Sequence, residues 1–135
     1  MRHGPSYVEV TGPADGLRGV DVDMNALPDA SLALAVVALF ASGTTRIRNV
    51  GNLRIKETDR LAALETELRK LGASAQTTED SITIEGAPGR PAEIETYDDH
   101  RVAMSFALAG LRIPGVVIRN PACVSKTWPE YFSVA

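Results

Sequence analysis

KETDRLAALETELRKLGASAQTTEDSITIE, spanning Lys56–Glu85, is the stretch whose reading decides the fold. Leu61, Leu64, Leu68 and Leu71 recur at intervals of three and four, the spacing of one apolar stripe on a helix. The pattern predicts a helix over Lys56–Leu71, closed by Gly72. The period then changes. Ser74–Thr78 and Ser81–Glu85 read as a pair of strands around Glu79-Asp80.

Outward from this unit, the same two signals alternate. On its N-terminal side Thr45–Val50 reads as a strand. Pro28–Ala41 reads as a helix, with Pro in the first turn and Gly43 just past the end. Apolar residues surround that helix, which predicts burial on most sides. Tyr7–Thr11 alternates as a strand and stops at Gly12-Pro13. On the C-terminal side, Ala87–Pro91 is a Pro/Gly-rich loop and Ala92–Thr96 a short strand. Asp98 or Asp99 caps a helix running to Leu111. Val116–Arg119 is a strand, Val124–Trp128 a loop, and Pro129 opens a last helix. Strands and helices in this order make an α/β chain. Nothing reads as an internal linker, so residues 1–135 are taken as a single domain.

Composition narrows the function classes. Across 135 residues, 44% are hydrophobic and 23% charged, as in a soluble globular protein. The net charge of −3 argues against nonspecific nucleic-acid binding, which needs a basic surface. The longest apolar run, Leu32–Ala41, is too short to span a bilayer. With no secretory leader pattern at the start, a cytoplasmic location is expected. Cys123 is the single cysteine, so no intrachain disulfide is possible. It reads as a small, partly buried apolar residue.

Several charges stand where apolar residues belong. With about 100° per residue, Glu57 and Arg60 fall on the stripe of Leu61, Leu64 and Leu68. Lys56 lies at the edge of that face. Asp59, Thr66, Arg69 and Lys70 fall opposite. A structural ion pair between Glu57 and Arg60 is one explanation. However, two cations and one anion at a helix start leave excess positive charge, which the helix dipole disfavours. An anionic ligand would resolve this. Arg101 repeats the arrangement, sharing a face with Met104, Leu108 and Leu111. Asp98 or Asp99 is its candidate partner, and His100 reads as a satisfied core histidine. Asp29 stands in the first turn of the Pro28–Ala41 helix, where helix capping alone would account for it. Asp21 and Asp23 give at most a weak cation signal, with no histidine or EF-hand spacing beside them. Asp29, Lys56, Glu57, Arg60, Arg101 and Lys126 each stand where a strand hands over to a helix, the usual place for a ligand site in α/β folds. These residues predict a site for a polyanion, with two carboxylates available for proton transfer.

The same residues carry a resemblance. DVDMNALPDASLALAVVALFASGTT (Asp21–Thr45), NLRIKETDRLAALETELRKLGA (Asn52–Ala73), YDDHRVAMSFALAGL (Tyr97–Leu111) and KTWPEYF (Lys126–Phe132) resemble the 5-enolpyruvylshikimate-3-phosphate synthases. KETDR followed by DDHR is the most specific part. The resemblance covers nearly the whole chain after about Val20. It implies a two-domain, repeat-built α/β enzyme with helices packed against mixed β-sheets. This chain corresponds to about the last third, the C-terminal part, without the N-terminal domain that completes the site. It also implies transfer of the enolpyruvyl group of phosphoenolpyruvate to the 5-hydroxyl of shikimate 3-phosphate, with no cofactor or metal. Glyphosate competes for the phosphoenolpyruvate position in this family.

By that resemblance, Asp29 contacts the shikimate ring and takes the hydroxyl proton. Asn52 and Lys56 contact shikimate 3-phosphate. Glu57 lies beside the phosphoenolpyruvate methylene and takes part in proton transfer. Arg60 and Arg101 hold the phosphoenolpyruvate carboxylate, and Lys126 lies on its phosphate side. The expected partners are the two substrates and a complementary N-terminal segment, without nucleic acid or membrane. Two rival readings remain. One is a stand-alone anion-binding or interaction module without turnover. The other is a segment of a UDP-N-acetylglucosamine enolpyruvyl transferase, against which KETDR, DDHR and the surroundings of Cys123 argue.

Overall fold

Alternation along the strands places Ile47, Ile82, Ile84 and Ala75, with the polar Thr45, on one buried sheet face, and the rest of the structure is arranged against it. The computed structural model describes Met1–Val134. Its main sheet has four strands: β3 (Asp21–Asp23), β4 (Thr44–Arg48), β5 (Ser74–Thr77) and β6 (Ile82–Glu85). Their order is β3-β4-β6-β5. β3 and β4 are parallel, and the other two pairings are antiparallel. The register sets Ile47 opposite Ile82 and Ala75 opposite Ile84.

Helix α1 (Ser31–Ala38) links β3 to β4, and α2 (Arg60–Lys70) links β4 to β5. No residue from Ser31 to Phe40 is exposed, as the all-round apolar pattern requires. Leu61, Leu64, Leu68 and Leu71 of the predicted stripe are all fully buried. Each such leucine contributes roughly 1.5–3 kcal/mol relative to exposure. Gly72 ends α2 with φ +99, a conformation glycine adopts without a Cβ penalty. A second, smaller unit begins with β7 (Glu93–Ile94), continues through α3 (His100–Ala107) and reaches β8 (Val117–Ile118), which pairs parallel with β7. A 3₁₀ turn over Pro121–Lys126 and a short helix α4 (Tyr131–Val134) follow.

The structure revises several boundaries. The predicted helix start at Lys56 moves to Arg60, and Gly51–Ile55 forms a 3₁₀ turn instead. The reason is a local cap. The Asp59 carboxylate accepts from the Ala62 amide at 3.0 Å and from the Arg54 guanidinium at 3.0 and 3.1 Å. Arg54 also donates to the carbonyls of Thr78 and Glu79 and so ties this cap to the β5–β6 turn. β4 begins at Thr44 and ends where Asn49 turns to φ +63. The strand predicted at Tyr7–Thr11 shrinks to β2 (Val8–Glu9), paired with an unpredicted β1 (Arg2–His3). Tyr7, Val8 and Val10 are exposed, so this hairpin has no core to lengthen it. The helix from Asp99 becomes α3 plus a 3₁₀ turn over Leu108–Leu111. The expected loop at Val124–Trp128 is 3₁₀ as far as Lys126.

Candidate active site at the helix starts

Arg60 is the first residue of α2, and its side chain is 1% exposed. A buried guanidinium must find acceptors, and this one finds three carboxylates. Its Nε donates to Asp99 Oδ2 at 2.8 Å and its Nη2 to Asp99 Oδ1 at 3.2 Å, a two-point fork. Nη1 donates to Asp29 Oδ1 at 3.0 Å, and Nη2 to Glu57 Oε2 at 2.5 Å. Asp99 is itself fully buried, whereas Asp29 and Glu57 are part-exposed at 39% and 51%. The inner edge of the guanidinium is therefore closed, and its outer edge is held by groups that water reaches.

Asp99 has a second duty as the cap of α3. Its Oδ1 accepts from the amides of Arg101 (2.9 Å) and Val102 (3.4 Å). One carboxylate thus joins the starts of α2 and α3. Asp29 sits in a 3₁₀ turn, Pro28–Ala30, ahead of α1, and makes no cap bond. Capping, sufficient on sequence grounds, is not its role. Its carboxylate lies between the two arginines instead, with Oδ2 3.6 Å from Arg101 Nε.

Two charge expectations are overturned here. The first is an excess of positive charge at the start of α2. Lys56, Arg60 and Arg101 stand with Asp29, Glu57 and Asp99, three cations to three carboxylates, so no positive excess remains. The second is that Arg101 heads a buried face. Its side chain is 46% exposed, Met104 and Leu108 are half-buried, and Leu111 is 72% exposed. That face opens onto a groove of about 500 Å³, whose lining includes Asp29, His100, Arg101, Met104, Thr127 and Trp128. His100 is half-buried and lines this groove, so it is not the core histidine expected. Tyr131 donates to the Met104 carbonyl at 2.8 Å and packs edge-on against Trp128 at 5.2 Å, which seats the C-terminal segment on α3.

The predicted site residues therefore divide. Asp29, Glu57, Arg60 and Arg101 are drawn together by direct contact. Lys126 is exposed, and Thr127 beside it lines the groove. Asn52 and Lys56 are exposed in the segment just before Glu57. Asp21 pairs with Arg48 at 2.6 Å, and Asp23 accepts from the Asn25 amide and the Asn49 side chain. Those hydrogen bonds hold the Asp23 carboxyl below its usual range. Among the described residues, no three His, Cys, Asp or Glu side chains gather as a cation site. Cys123 is buried, and burial pushes its thiol up, as a core thiol should behave.

Sequence reasoning missed Asp99 as the principal partner of Arg60. The two lie 39 positions apart, and only their placement at neighbouring helix starts brings them together. It also missed Glu67. This residue stands in the charged run ELRK yet is 0% exposed. It accepts from Lys70 Nζ at 2.7 Å, the Glu95 amide at 2.9 Å and the Tyr97 hydroxyl at 2.7 Å. Its i+7 spacing from Arg60, which puts both on one face of α2, was the available signal.

Comparison with known proteins places the chain. The family model for EPSP synthase (3-phosphoshikimate 1-carboxyvinyltransferase) matches residues 1–134. The chain is 50% identical over 133 residues to a 3-phosphoshikimate 1-carboxyvinyltransferase of Nostoc punctiforme, covering 98% of this chain and 31% of that protein. It is 52% identical over 132 residues to the protein of that name in Shewanella amazonensis, covering 96% and 30%. Among solved structures, EPSP synthase from Acinetobacter baumannii superposes with a TM-score of 0.80 at 34% identity, over 88% of this chain and 29% of that one. The enolpyruvyl transferase NikO from Streptomyces tendae shares the fold, with a TM-score of 0.67 at 22% identity over 92% and 28%. The chain thus spans about 30% of the length of the curated relatives it matches.

Proposed function

The chain belongs to the EPSP synthase family, and from that membership we propose that it forms one side of a site transferring the enolpyruvyl group of phosphoenolpyruvate to the 5-hydroxyl of shikimate 3-phosphate. One observation carries the reading: Asp29, Arg60 and Arg101, distant in sequence, converge at the helix starts, with the Asp29 carboxylate between the two guanidiniums.

The chemistry asks for such a set. The 5-hydroxyl oxygen bonds to carbon 2 of phosphoenolpyruvate while carbon 3 gains a proton. Phosphate then leaves carbon 2, and carbon 3 gives up a proton to restore the double bond. One carboxylate must take the hydroxyl proton, and an acid must serve carbon 3. Asp29 is assigned the first task and Glu57 the second. Both are part-exposed, so both are open to a ligand. Arg101 and the outer edge of Arg60 are assigned the substrate carboxylate, for which a planar guanidinium is the better match. An incoming carboxylate takes over hydrogen bonds that Asp29 and Glu57 now accept and frees these acids to act. Asn52 and Lys56 are assigned to shikimate 3-phosphate and Lys126 to the phosphate of phosphoenolpyruvate. Their exposure is compatible with contacts to ligand.

In the same proposal, residues 1–135 are one domain corresponding to the C-terminal part of a two-domain cytoplasmic enzyme. A complementary N-terminal segment then supplies the remaining phosphate contacts, and this chain alone is inactive. The test is turnover of phosphoenolpyruvate and shikimate 3-phosphate by the chain with and without that segment. Activity is expected only with both. Turnover by this chain alone at ordinary enzyme rates, on the order of 1–1000 per second, would refute the half-site reading. Inactivity of the reconstituted pair would favour the non-catalytic anion-binding module.

A further inference from the structure

We propose that Glu67 is a positioning residue for Arg60, acting through Tyr97 to hold the turn that aims Asp99 at the guanidinium. The turn is unusual. Tyr97 and Asp98 have φ of +57 and +53, and the Asp99 amide closes it by donating to the Thr96 carbonyl at 2.9 Å. A non-glycine residue in this region costs on the order of 1–3 kcal/mol and persists only where its surroundings enforce it. Here two successive residues are so placed, and neither is glycine.

One face of α2 holds the turn, together with Thr96 Oγ1, which donates to the Arg119 carbonyl at 2.9 Å, and Asn120 Nδ2, which donates to Asp98 Oδ1 at 3.2 Å. Glu67 follows Arg60 by two helical turns. It grips the segment at the Glu95 amide (2.9 Å) and the Tyr97 hydroxyl (2.7 Å), while Arg60 grips it at Asp99 (2.8 and 3.2 Å). The segment between these grips contains both left-handed residues. A carboxylate buried in an apolar core is costly unless fully bonded. Glu67 is 0% exposed and its other contact is Lys70 at 2.7 Å. Burial and the Glu67 carboxylate push the Tyr97 phenol well above its usual value, which keeps it a proton donor. Because Asp99 also caps α3 at the Arg101 amide, a shift of the turn moves both arginines together. The inference rests on Arg60 and Arg101 being the anion-facing groups proposed above.

The test needs no ligand, so its failure is distinct from failure of the substrate assignment. Hydrogen exchange of the Arg60 Nε–H and the Arg101 amide is followed by ¹H–¹⁵N NMR in the whole chain, in Tyr97→Phe and in Glu67→Gln. Tyr97→Phe removes one oxygen from a side chain that is 40% exposed. Loss of that hydrogen bond should speed exchange at both sites about threefold to tenfold. Amides of the paired strands β4 and β6 should be unchanged. Glu67→Gln should do the same to a greater extent. If it does not fold, Tyr97→Phe decides alone. Unchanged exchange at Arg60, or acceleration only in step with β4 and β6, would overturn the proposal, because a merely structural bond weakens the whole core together.

Discussion

Arg60 and Arg101 stand at the heads of two helices, in KETDR and DDHR, and sequence alone gives no reason to treat them differently. The structure separates them. Arg60 is 1% exposed and bonded to three carboxylates, one of them fully buried. Arg101 is 46% exposed with one carboxylate at 3.6 Å. Arg60 is therefore a structural joint with one edge facing the site, and Arg101 is a cation left open to a ligand. The difference lies in the partner. The buried Asp99 requires Arg60, whereas the part-exposed Asp29 can exchange Arg101 for water.

The most severe test of that contrast is Arg60→Met. It leaves Asp99 buried without its cation, and breaking one side of a buried pair costs about 3–5 kcal/mol. Urea denaturation of the chain should show a lower midpoint by that measure. A loss below about 1 kcal/mol would place Arg60 with the surface pairs and erase the distinction.

Asp29→Asn comes next, because Asp29 touches both arginines. The amide oxygen can still accept from Arg60, so the melting temperature should hold. In the enzyme completed with its N-terminal segment, turnover should fall on the order of 100-fold or more, since an amide cannot take the hydroxyl proton. Full turnover in a folded variant would move the base elsewhere. Arg101→Lys is a smaller step. It keeps the charge but loses the planar fork, and the KM for phosphoenolpyruvate should rise roughly 10-fold through the weaker charge-assisted bonds. If the shikimate 3-phosphate term changed instead, the carboxylate assignment would be wrong.

How legible these features were follows from the range of the interactions behind them. The leucine stripe of α2 and the strand pair around Glu79-Asp80 are local signals, and both were readable. The start of α2 was not. Asp59 caps it while held by Arg54, which is anchored on Thr78 and Glu79, so the boundary depends on a contact across the fold. The site residues were found as types at strand-to-helix junctions, and four of them meet. Their charge balance was misjudged because Asp99 was weighed only as a partner for Arg101, its neighbour in sequence. Glu67 was passed over because ELRK reads as a solvated face. Its burial depends on Tyr97 and Glu95 arriving from another unit.

The smallest expected effect is the most discriminating. Arg101→Ala removes the 3.6 Å contact with Asp29, and half-exposed pairs of this kind contribute about 0.2–1 kcal/mol. Against that, Arg101 lies in the first turn of α3, where a cation opposes the helix dipole by roughly 0.3–1 kcal/mol. Alanine also has the highest helix propensity. These terms have opposite signs and similar size, so stability should change by less than about 0.5 kcal/mol in either direction. Added salt screens both the pair and the dipole, so the difference between variant and parent should stay flat as ionic strength rises. A loss comparable to that of Arg60→Met would mean that Asp29 holds Arg101 as tightly as Asp99 holds Arg60. Arg101 would then be a second joint, with only the outer edge of Arg60 left for the substrate carboxylate.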